Sequence, residues 1–496
     1  MTKRRRRLIF LAVGLIAIGW ILAGPIIAYL GGPLRWATDD GTFLFKPYIQ
    51  IGDAPHLTNP ERAEVLWHTA DRDQDWWVEV RPGPGMDWVR LPTLPAPRHV
   101  RLPDVDPHRI YRVPISELVP GERFGYRVGI AARTLFEAEA RARPPVGKAY
   151  RVAIVGDIGA GTTAASRIAW RIGESKPDLM VVTGDIVYSR GRISEYSTRF
   201  FPVYNADAPS RDVGTPLLRS TLVVAAPGNH DLLVRDLDAF PDGLAFFLAW
   251  SQPLNGPLGL DAKNSPVLGG SQARKSAYLD AAGPTYPRMA NFSFDFGDAH
   301  WTVLDANSYV DWTDPLLRAW VERDIASAPP GAWRLVAFHQ PGFNSSVAHQ
   351  PEQQMRLLAD IFERGGVTIA FGGHVHNYQR SKPMTFTRRP WSDGRVQGPY
   401  GQVDGEWSLD LDYNGRDAIV PKGVIYVITG AGGASLHDTI RASKPETWHS
   451  FTERFVSTVH SFTLMDVNRD RLAIRQVDID GAVVDEFAVT RRMPAP

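Results

Sequence analysis

Residues 152–159 read VAIVGDIG, a short run of mostly β-branched residues that stops at a glycine and an aspartate. Such a run is too short for a typical helix and suits a buried strand, and the Gly156-Asp157 pair after it suits a turn. From Ala149 onward, comparable runs alternate with helical or loop segments: Val152 to Val155, Leu179 to Thr183, Leu222 to Ala226, Trp301 to Leu304, Leu335 to Phe338, Val367 to Phe371 and Val424 to Thr429. This alternation predicts an α/β layered domain.

Residue types that bind metals follow five of these runs directly. In chain order, the motifs are Gly156-Asp157-Ile158-Gly159, Gly184-Asp185-Ile186-Val187-Tyr188, Gly228-Asn229-His230-Asp231, Phe338-His339 and Gly373-His374-Val375-His376. Alone, each has an ordinary structural explanation, such as a turn, a helix cap or a buried aromatic ring. Open α/β sheets place their ligands at the carboxyl ends of the strands, so the repeated placement favours one shared site.

The segment before this domain has a different pattern. Pro47 to Arg143 is dense in Trp, Tyr, Val and Arg with turn residues at short intervals, which predicts a small β-sandwich. Within it, residues 118–128 read LVPGERFGYRV, a turn before an alternating strand that is similar to the corner of a fibronectin type III-like domain. A proline-rich linker, Ala142 to Gly147, then leads to the α/β domain.

Two long intervals inside the α/β domain have the composition of loops. Ser251 to Met289 and Arg388 to Lys422 are rich in Gly, Pro, Asn and Asp, so we predict surface excursions of the kind that often carries function. The end of the chain, Phe462 to Val489, alternates as three short strands with an Asp480-Gly481 hairpin turn.

The first residues have the pattern of a targeting signal. Lys3 and Arg4 to Arg7 precede an apolar run, Leu8 to Leu30, that has no ionisable side chain and is long enough to span a bilayer. Because the basic cluster should stay in the cytoplasm, we predict a signal anchor in a single-pass plasma-membrane protein whose remainder is extracytoplasmic, either periplasmic or extracellular. A cleaved signal peptide, weakly suggested around Ala23 and Gly24, would give a secreted protein, and the arginine pairs leave twin-arginine export open.

Composition removes several classes of site and partner. The 496 residues carry a formal net charge of +1 and no cysteine. The missing cysteine excludes thiolate zinc sites, iron–sulfur clusters and cysteine nucleophiles, so any metal is held by oxygen and imidazole. The near-zero net charge, without a basic stripe, argues against a nucleic-acid partner.

Taken in order, the strand-end motifs resemble the calcineurin-like metallophosphoesterase superfamily, and Tyr188 points within it to the purple acid phosphatases. The resemblance runs from about Pro47 to the last strands, and Val427 to Gly433 is similar to that family's late strand and glycine turn. It implies an α/β fold in which a four-layer metallophosphoesterase β-sandwich is flanked by helices. The implied order is a basic stub and transmembrane helix at 1–33, an all-β fibronectin type III-like domain at 40–145 and the catalytic domain at 149–492.

The same resemblance implies a centre with two metal ions. The first ion, ferric iron in that family, would be held by Asp157, Tyr188 and His376. The second, a divalent iron, zinc or manganese ion, would be held by Asn229, His339 and His374, with Asp185 bridging the two. Phenolate and carboxylate donors suit a trivalent ion, and imidazole with an amide suits a divalent one. Two ions about 3.5 Å apart can clamp phosphoryl oxygens and activate a bound hydroxide, so the implied acid phosphatase reaction is hydrolysis of small phosphate monoesters.

Three further residues are expected on the substrate side of the centre. His230 would bind phosphate or protonate the leaving oxygen, and Asp231 is expected to orient it by a hydrogen bond. His349 resembles a second substrate-side histidine of the family, although a solvated loop histidine explains it equally well. The chain departs from the family at Ala348, where many members have another histidine, and at Asp231, where glutamate is common; both departures concern leaving-group protonation.

Two other functions are compatible with the same sequence. One is a phosphodiesterase or nucleotide hydrolase of the same superfamily with other metals, and Tyr188 argues against it because members without a tyrosinate ligand usually lack ferric iron. The other is a cell-surface binding module with a degenerate catalytic domain, and the intact set of ligand types argues against that reading.

Overall fold

Two antiparallel sheets form the first part of the protein. The computed structural model describes residues 42–257, 263–391, 394–417 and 419–491. The strands of this part are β1 (Phe45–Gln50), β2 (Glu61–Ala70), β3 (Trp76–Arg81), β4 (Val89–Arg90), β5 (Arg98–Val100), β6 (His108–Leu118), β7 (Arg123–Ile130) and β8 (Arg133–Arg141). They pair in the orders β1-β2-β6-β5 and β4-β3-β7-β8. Trp67 and Tyr111 of the first sheet stack with centroids 4.7 Å apart and share one core with Val78 and Val128 of the second. This is a β-sandwich; its fibronectin type III-like character stays a prediction.

Two mixed sheets form the second part. Their strands are β9 (Tyr150–Val155), β10 (Leu179–Val182), β11 (Leu222–Ala225), β12 (Phe292–Phe296), β13 (Ala299–Val303), β14 (Trp333–Ala337), β15 (Ile369–Gly372), β16 (Tyr378–Ser381), β17 (Met384–Arg388), β18 (Gly405–Leu409), β19 (Ile425–Thr429), β20 (Thr452–Val456), β21 (Ser461–Val467), β22 (Arg471–Asp478) and β23 (Val483–Thr490). The six-stranded sheet has the order β11-β10-β9-β21-β22-β23 and the seven-stranded sheet β12-β13-β14-β15-β19-β16-β20, while β17 and β18 pair separately.

Helices alternate with these strands along the described part of the chain. They are α1 (Thr163–Ser175), α2 (Ile193–Glu195), α3 (Phe201–Tyr204), α4 (Asn229–Leu232), α5 (Phe246–Ala249), α6 (Gln272–Ala282), α7 (Pro315–Ala326), α8 (Ala359–Arg364) and α9 (Thr439–Ala442). Within the described ranges, no helix combines the length and hydrophobicity that a bilayer span requires. The predicted anchor at 1–33 lies outside the residues that the structure describes.

Alternating side chains of each strand build a layered core. In β9, Val152 and Ile154 belong to the cluster between the two sheets, whereas Ala153 and Val155 pack with Ile168 of α1. This is the period-two alternation of a strand buried on both faces. The seven-stranded sheet behaves likewise, because its other face packs against α7 and α8. The result is a mixed α/β arrangement of helix, sheet, sheet and helix, which confirms the predicted fold class for this part.

The sandwich also packs closely on the α/β domain. Phe45 of β1 stacks on Phe201 of α3 with ring centroids 4.0 Å apart, and the Tyr48 hydroxyl donates to the Ala249 carbonyl oxygen at 2.6 Å. Arg143, in the linker, is completely buried and bonds Glu61 of the sandwich and the backbone oxygen of Asp295 in β12. The sheet β1-β2-β6-β5 is therefore apolar on both faces.

Most predicted strands have a counterpart within two residues of the predicted bounds. The seven runs correspond to β9, β10, β11, β13, β14, β15 and β19, and Asp480-Gly481 lies between β22 and β23. One prediction is corrected: the interval Ser251 to Met289 is not only a surface excursion. It contains α6, whose Tyr278 and Ala282 are fully buried.

Candidate metal centre

Five strands end at one place between the two sheets. In the six-stranded sheet, β9, β10 and β11 are parallel neighbours, and in the seven-stranded sheet, β14 and β15 are parallel neighbours. Carboxyl ends of parallel strands lie at the same sheet edge, so residues that directly follow them meet there. The side chains that meet are those of Asp157, Asp185, Tyr188, Asn229, His339, His374 and His376.

The backbone turns sharply at three of these residues. Asp157, Asp185 and His374 have φ of 61°, 53° and 69°, in the left-handed region that side chains other than glycine rarely occupy. Such conformations persist where the surroundings enforce them and are concentrated at functional sites. Here each one lies directly beyond a strand, where the chain reverses.

Tyr188, Asp157 and His376 form the first group. The Tyr188 hydroxyl donates to Asp157 Oδ1 at 3.0 Å and lies 3.2 Å from His376 Nε2. His376 Nε2 is 3.4 Å from the same Asp157 oxygen. One phenol, one carboxylate and one imidazole therefore present their ligand atoms to a common point.

Asn229, His339 and His374 form the second group, next to Asp185. His339 Nε2 is 3.0 Å from Asn229 Oδ1, 3.2 Å from His374 Nδ1 and 3.2 Å from Asp185 Oδ1. The ligand atoms of Asp157, Asp185 and His339 lie within 4.8 Å of one another, so the two groups are adjacent. Asp185 belongs to this adjacent set, and its role as a bridging ligand stays a prediction.

Each histidine is held from outside by its other ring nitrogen. His339 Nδ1 donates to the Thr183 carbonyl oxygen at 2.7 Å, and His376 Nδ1 donates to the Ser435 carbonyl oxygen at 2.7 Å. His374 Nε2 donates to Glu352 Oε2 at 3.1 Å. An imidazole with one N–H engaged has a free lone pair on the other nitrogen, and in all three rings that nitrogen faces the cluster.

Glycine is required at two motif positions because the site is crowded. A Cβ on Gly184, whose φ is +90°, would lie 2.5 Å from His339 Nδ1. A Cβ on Gly228 would lie 2.1 Å from Asp185 Oδ1. Neither separation is possible for real atoms, so these glycines leave the space that the ligand side chains occupy.

The charges of the cluster call for a cation. Burial tends to lower the pKa of His339, but the Asp185 carboxylate raises it to about 10. Burial, and after it the charges of Asp157 and Asp185, hold the pKa of Tyr188 well above its usual range, so ionising this phenol needs a cation beside it. Neutral His339 and His374 would present two lone pairs to each other at 3.2 Å, which is repulsive without a positive charge nearby. The donor set therefore fits metal ions.

Asp231 has a different role from the predicted one. It is fully buried, and its two oxygens accept backbone N–H groups of Ile186, Val187 and Gly228 at 2.8 to 3.3 Å. His230 instead bonds through Nδ1 to the Ser189 carbonyl oxygen at 3.1 Å. The Ser189 carbonyl oxygen therefore takes the place that was predicted for Asp231 as the partner of His230. The reason is that adjacent residues of one helical turn point in different directions. Burial, and then the charge of Asp185, raise the pKa of Asp231 to about 7.

His349 does lie beside the centre, and it brings a residue that the sequence did not reveal. Its ring centroid is 3.8 Å from that of His374. Glu352 accepts from His349 Nδ1 at 2.8 Å through one oxygen and from His374 through the other, so one carboxylate connects the two histidines. Burial opposes the effect, but hydrogen bonds from these histidines hold the pKa of Glu352 well below its usual range.

His437 is the other residue without a sequence prediction. Its ring stacks on His376 at 4.0 Å, and its Nδ1 accepts the His376 backbone N–H at 3.2 Å. No motif marks either residue: Glu352 follows His349 by three positions, and His437 follows the glycine turn that ends at Gly433. The only feature of the sequence that could have indicated Glu352 is its position three residues after His349.

Known proteins resemble this chain in sequence and in fold. A family model described as calcineurin-like phosphoesterase matches residues 150–378, which include all seven candidate ligands. The chain is 26% identical to purple acid phosphatase 23 of Arabidopsis thaliana over 332 residues, covering 61% of this chain and 64% of that relative. It thus spans slightly less than two thirds of that relative's length.

Two longer similarities extend beyond residues 150–378. The chain is 24% identical to acid phosphatase type 7 of Mus musculus over 418 residues, which is 77% of each protein. A solved purple acid phosphatase from yellow lupin (Lupinus luteus) seeds superposes with a TM-score of 0.60 at 18% identity, covering 90% of this chain and 74% of that one. Residues 150–378 are therefore a calcineurin-like phosphoesterase domain, and the chain as a whole is similar to purple acid phosphatases in sequence and fold.

Proposed function

We propose that the protein hydrolyses phosphate monoesters at a two-metal centre on the extracytoplasmic side of a membrane. The observation that carries the proposal is the set of three histidines, each fixed by an outer hydrogen bond with its inner nitrogen facing a cluster of carboxylate, phenol and amide oxygens. Histidines that only stabilise the fold would not all direct the lone pair of a ring nitrogen into the same cluster. A pair of bound cations explains all of them.

The two groups of side chains suit different ions. The first would be held by Asp157, Tyr188 and His376, whose hard anionic oxygens favour a trivalent ion such as Fe(III). The second would be held by Asn229, His339 and His374, which favour a divalent iron, zinc or manganese ion. Asp185 would serve both. When bound, two such ions supply Lewis-acid polarisation of the phosphoryl group and make water acidic enough to attack near neutral pH.

His230 is placed to act on the substrate directly. The Ser189 carbonyl oxygen holds its Nδ1, so Nε2 is the atom that can exchange a proton, and this atom lies 3.9 Å from Asp185 Oδ2. The side chain remains 30% exposed, in contrast to the buried Asp185. We assign His230 Nε2 to binding the phosphoryl group and protonating the leaving oxygen.

His349 has the corresponding place on the side of the second group. Because Glu352 holds its Nδ1, its Nε2 is the free atom, and the residue lines the same cavity as Asn229 and His374. We assign His349 to binding the phosphate ester in this cavity as the ester enters the metal centre. Asp231 belongs to the framework, since it ties the backbone after β10 to the backbone after β11.

The extracytoplasmic location is supported by the N-terminal sequence, in which a basic cluster precedes an apolar run. Fractionation of cells expressing the full chain tests it. Retention in carbonate-washed membranes is expected for an anchor, and release into the medium or periplasm for a cleaved signal.

The function is tested by hydrolysis of p-nitrophenyl phosphate from acidic to neutral pH, with metal content measured in parallel. Asp185→Asn removes the shared carboxylate charge and should lower kcat/KM by at least about 1,000-fold, because metal-assisted charge stabilisation is worth several kcal/mol. Asp412→Asn, an exposed aspartate paired with Lys422, is the matched control. Undiminished hydrolysis by Asp185→Asn would refute the proposed site. Activity only on bis(p-nitrophenyl) phosphate would identify a diesterase, and a metal-loaded but inactive protein would indicate a binding module.

A further inference from the structure

A cavity of about 590 Å³ opens beside the second group of ligands. Asn229, His349 and His374 form the wall next to the metal centre, whereas Arg235, Tyr309 and Tyr400 are among the residues that line the rest. The volume is in the range of sites that bind small organic molecules. If the phosphoryl group is bound at the metal centre, this cavity is where the leaving group lies.

Arg235 is the cation of this cavity, and a fixed aromatic ring supports it. Its guanidinium carbon lies 5.2 Å from the centroid of the Tyr309 ring. The Tyr309 hydroxyl donates to Asp305 Oδ2, and the other oxygen of Asp305 accepts from the backbone and side-chain nitrogens of Asn307 at 3.0 and 2.8 Å. Tyr309 is therefore held in place by a buried carboxylate that is itself held. A guanidinium over such a ring is preorganised.

The carboxylates near Arg235 are engaged elsewhere. No carboxylate among the described residues lies within ion-pair distance of the Arg235 guanidinium. Asp305 serves Tyr309 and Asn307, and Glu352, which also lines the cavity, serves His349 and His374. Half-buried arginines usually have a carboxylate partner, so this one has charge available for a ligand.

The remaining lining fits an organic group between the two charged ends. Tyr400 is 85% exposed and Leu233 is 54% exposed, both at this cavity. Val310 contributes a buried apolar side chain. Aromatic and aliphatic surface of this kind packs against a planar or aliphatic carbon frame.

We propose that Arg235 binds a second anionic group on the leaving group, so that the preferred substrates are phosphate monoesters of alcohols or phenols that also carry a carboxylate or phosphate. This proposal rests on the proposed phosphatase function, because it identifies the cavity as the leaving-group site. Charge-assisted, two-pronged hydrogen bonds from the guanidinium select such an anion over a neutral group of the same shape.

Three aryl esters of one frame test the proposal: phenyl phosphate, 4-carboxyphenyl phosphate and 1,4-phenylene bisphosphate. In the wild-type protein, kcat/KM should be higher for the two charged esters, and the comparison between them tells which anion fits better. Arg235→Gln should lower the ratio of charged to neutral ester by about 10- to 100-fold, the usual value of a hydrogen bond to a charged group. Arg235→Lys keeps the positive charge but loses the two parallel N–H donors of the guanidinium. Its ratio of charged to neutral ester should lie between those of the wild type and Arg235→Gln. Arg211→Gln, an exposed arginine paired with Asp480, is the matched control and should keep the wild-type ratio.

A binding measurement separates this proposal from the phosphatase function. Titration with benzylphosphonate and 4-carboxybenzylphosphonate requires no hydrolysis, and the carboxylated compound should bind more tightly to the wild-type protein than to Arg235→Gln. If no ester is hydrolysed but this difference persists, the reaction is wrong and the anion site stands. Equal ratios in wild type and Arg235→Gln, by kinetics and by binding, would overturn the anion site, as would a wild-type protein with no preference. Thermal unfolding of each variant confirms that the comparison is made on folded protein.

Discussion

Replacing Glu352 by glutamine tests whether the carboxylate that connects His349 and His374 controls metal binding. Its two oxygens accept from His349 Nδ1 at 2.8 Å and from His374 Nε2 at 3.1 Å. Glutamine has one acceptor oxygen and one NH₂ donor, so it cannot accept from both rings. One imidazole would then face a donor with its own N–H.

The expected effect falls on the second metal ion. With Nε2 no longer held, His374 can present the wrong tautomer or rotate, and its Nδ1 is the atom 3.2 Å from His339. Loss of an outer hydrogen-bond partner of a metal-binding histidine usually costs about 10- to 100-fold in affinity. That corresponds to about 1.4 to 2.8 kcal/mol of binding free energy.

Competition with a chelator of known affinity measures this directly. We expect Glu352→Gln to release one ion at a chelator concentration that leaves the wild-type protein with two. The ion that we propose at Asp157, Tyr188 and His376 should stay, and if it is Fe(III), the visible absorption of a tyrosinate–iron centre reports it. Glu322→Gln makes the same chemical change at an exposed carboxylate paired with Arg364 and is the control. If Glu352→Gln retained both ions with wild-type affinity, the carboxylate would have no role in orienting His374.

Two predictions concern stability rather than the metal centre. Arg143→Met should lower the free energy of unfolding by about 3 to 5 kcal/mol, because it leaves the fully buried Glu61 carboxylate without its cation; urea unfolding measures this, and a loss below about 1 kcal/mol would contradict it. Although burial opposes it, hydrogen bonds to Asp295 and Asp324 raise the pKa of His300 from 6.5 to about 9. The stabilisation by the protonated His300 ring is fully present below the unfolded pKa of 6.5 and is lost as the pH rises through about 9. The free energy of unfolding should therefore fall by about 3 kcal/mol between these two pH values. The fall should be absent in His300→Gln, and identical pH profiles for the two proteins would refute the assignment.

The framework of the site was predictable because its signals are local. Each ligand motif directly follows an apolar run, and in a parallel sheet the end of a strand has a defined position relative to its neighbours. Knowing that Asp157 follows one strand and His339 another was enough to place them together. The glycines of the motifs were predictable on the same grounds, since positions such as Gly184 have no room for a side chain.

The elements that were missed have no such local signal. Glu352 and His437 reach the centre from loops, and the path of a loop is set by what it packs against. The helix α6 was missed because its sequence lacks a clear apolar stripe; its buried side chains are Tyr278, Ala281 and Ala282, all near its end. The role of Asp231 was mistaken because sequence adjacency to His230 says nothing about side-chain direction within a helical turn.

This difference between strand ends and loops also separates the two functions of the site. Ligands that must converge within an ångström are attached to the rigid ends of β9, β10, β11, β14 and β15. Of the residues that we assign to the leaving group, Arg235 and Tyr309 lie in segments between regular elements, and Tyr400 lies in the single 3-10 turn Pro399–Gly401. Substitutions in those segments can therefore alter which ester is accepted without moving a metal ligand. If metal binding and ester selection are separate in this way, such substitutions should change the ratio between charged and neutral esters while the metal content stays constant.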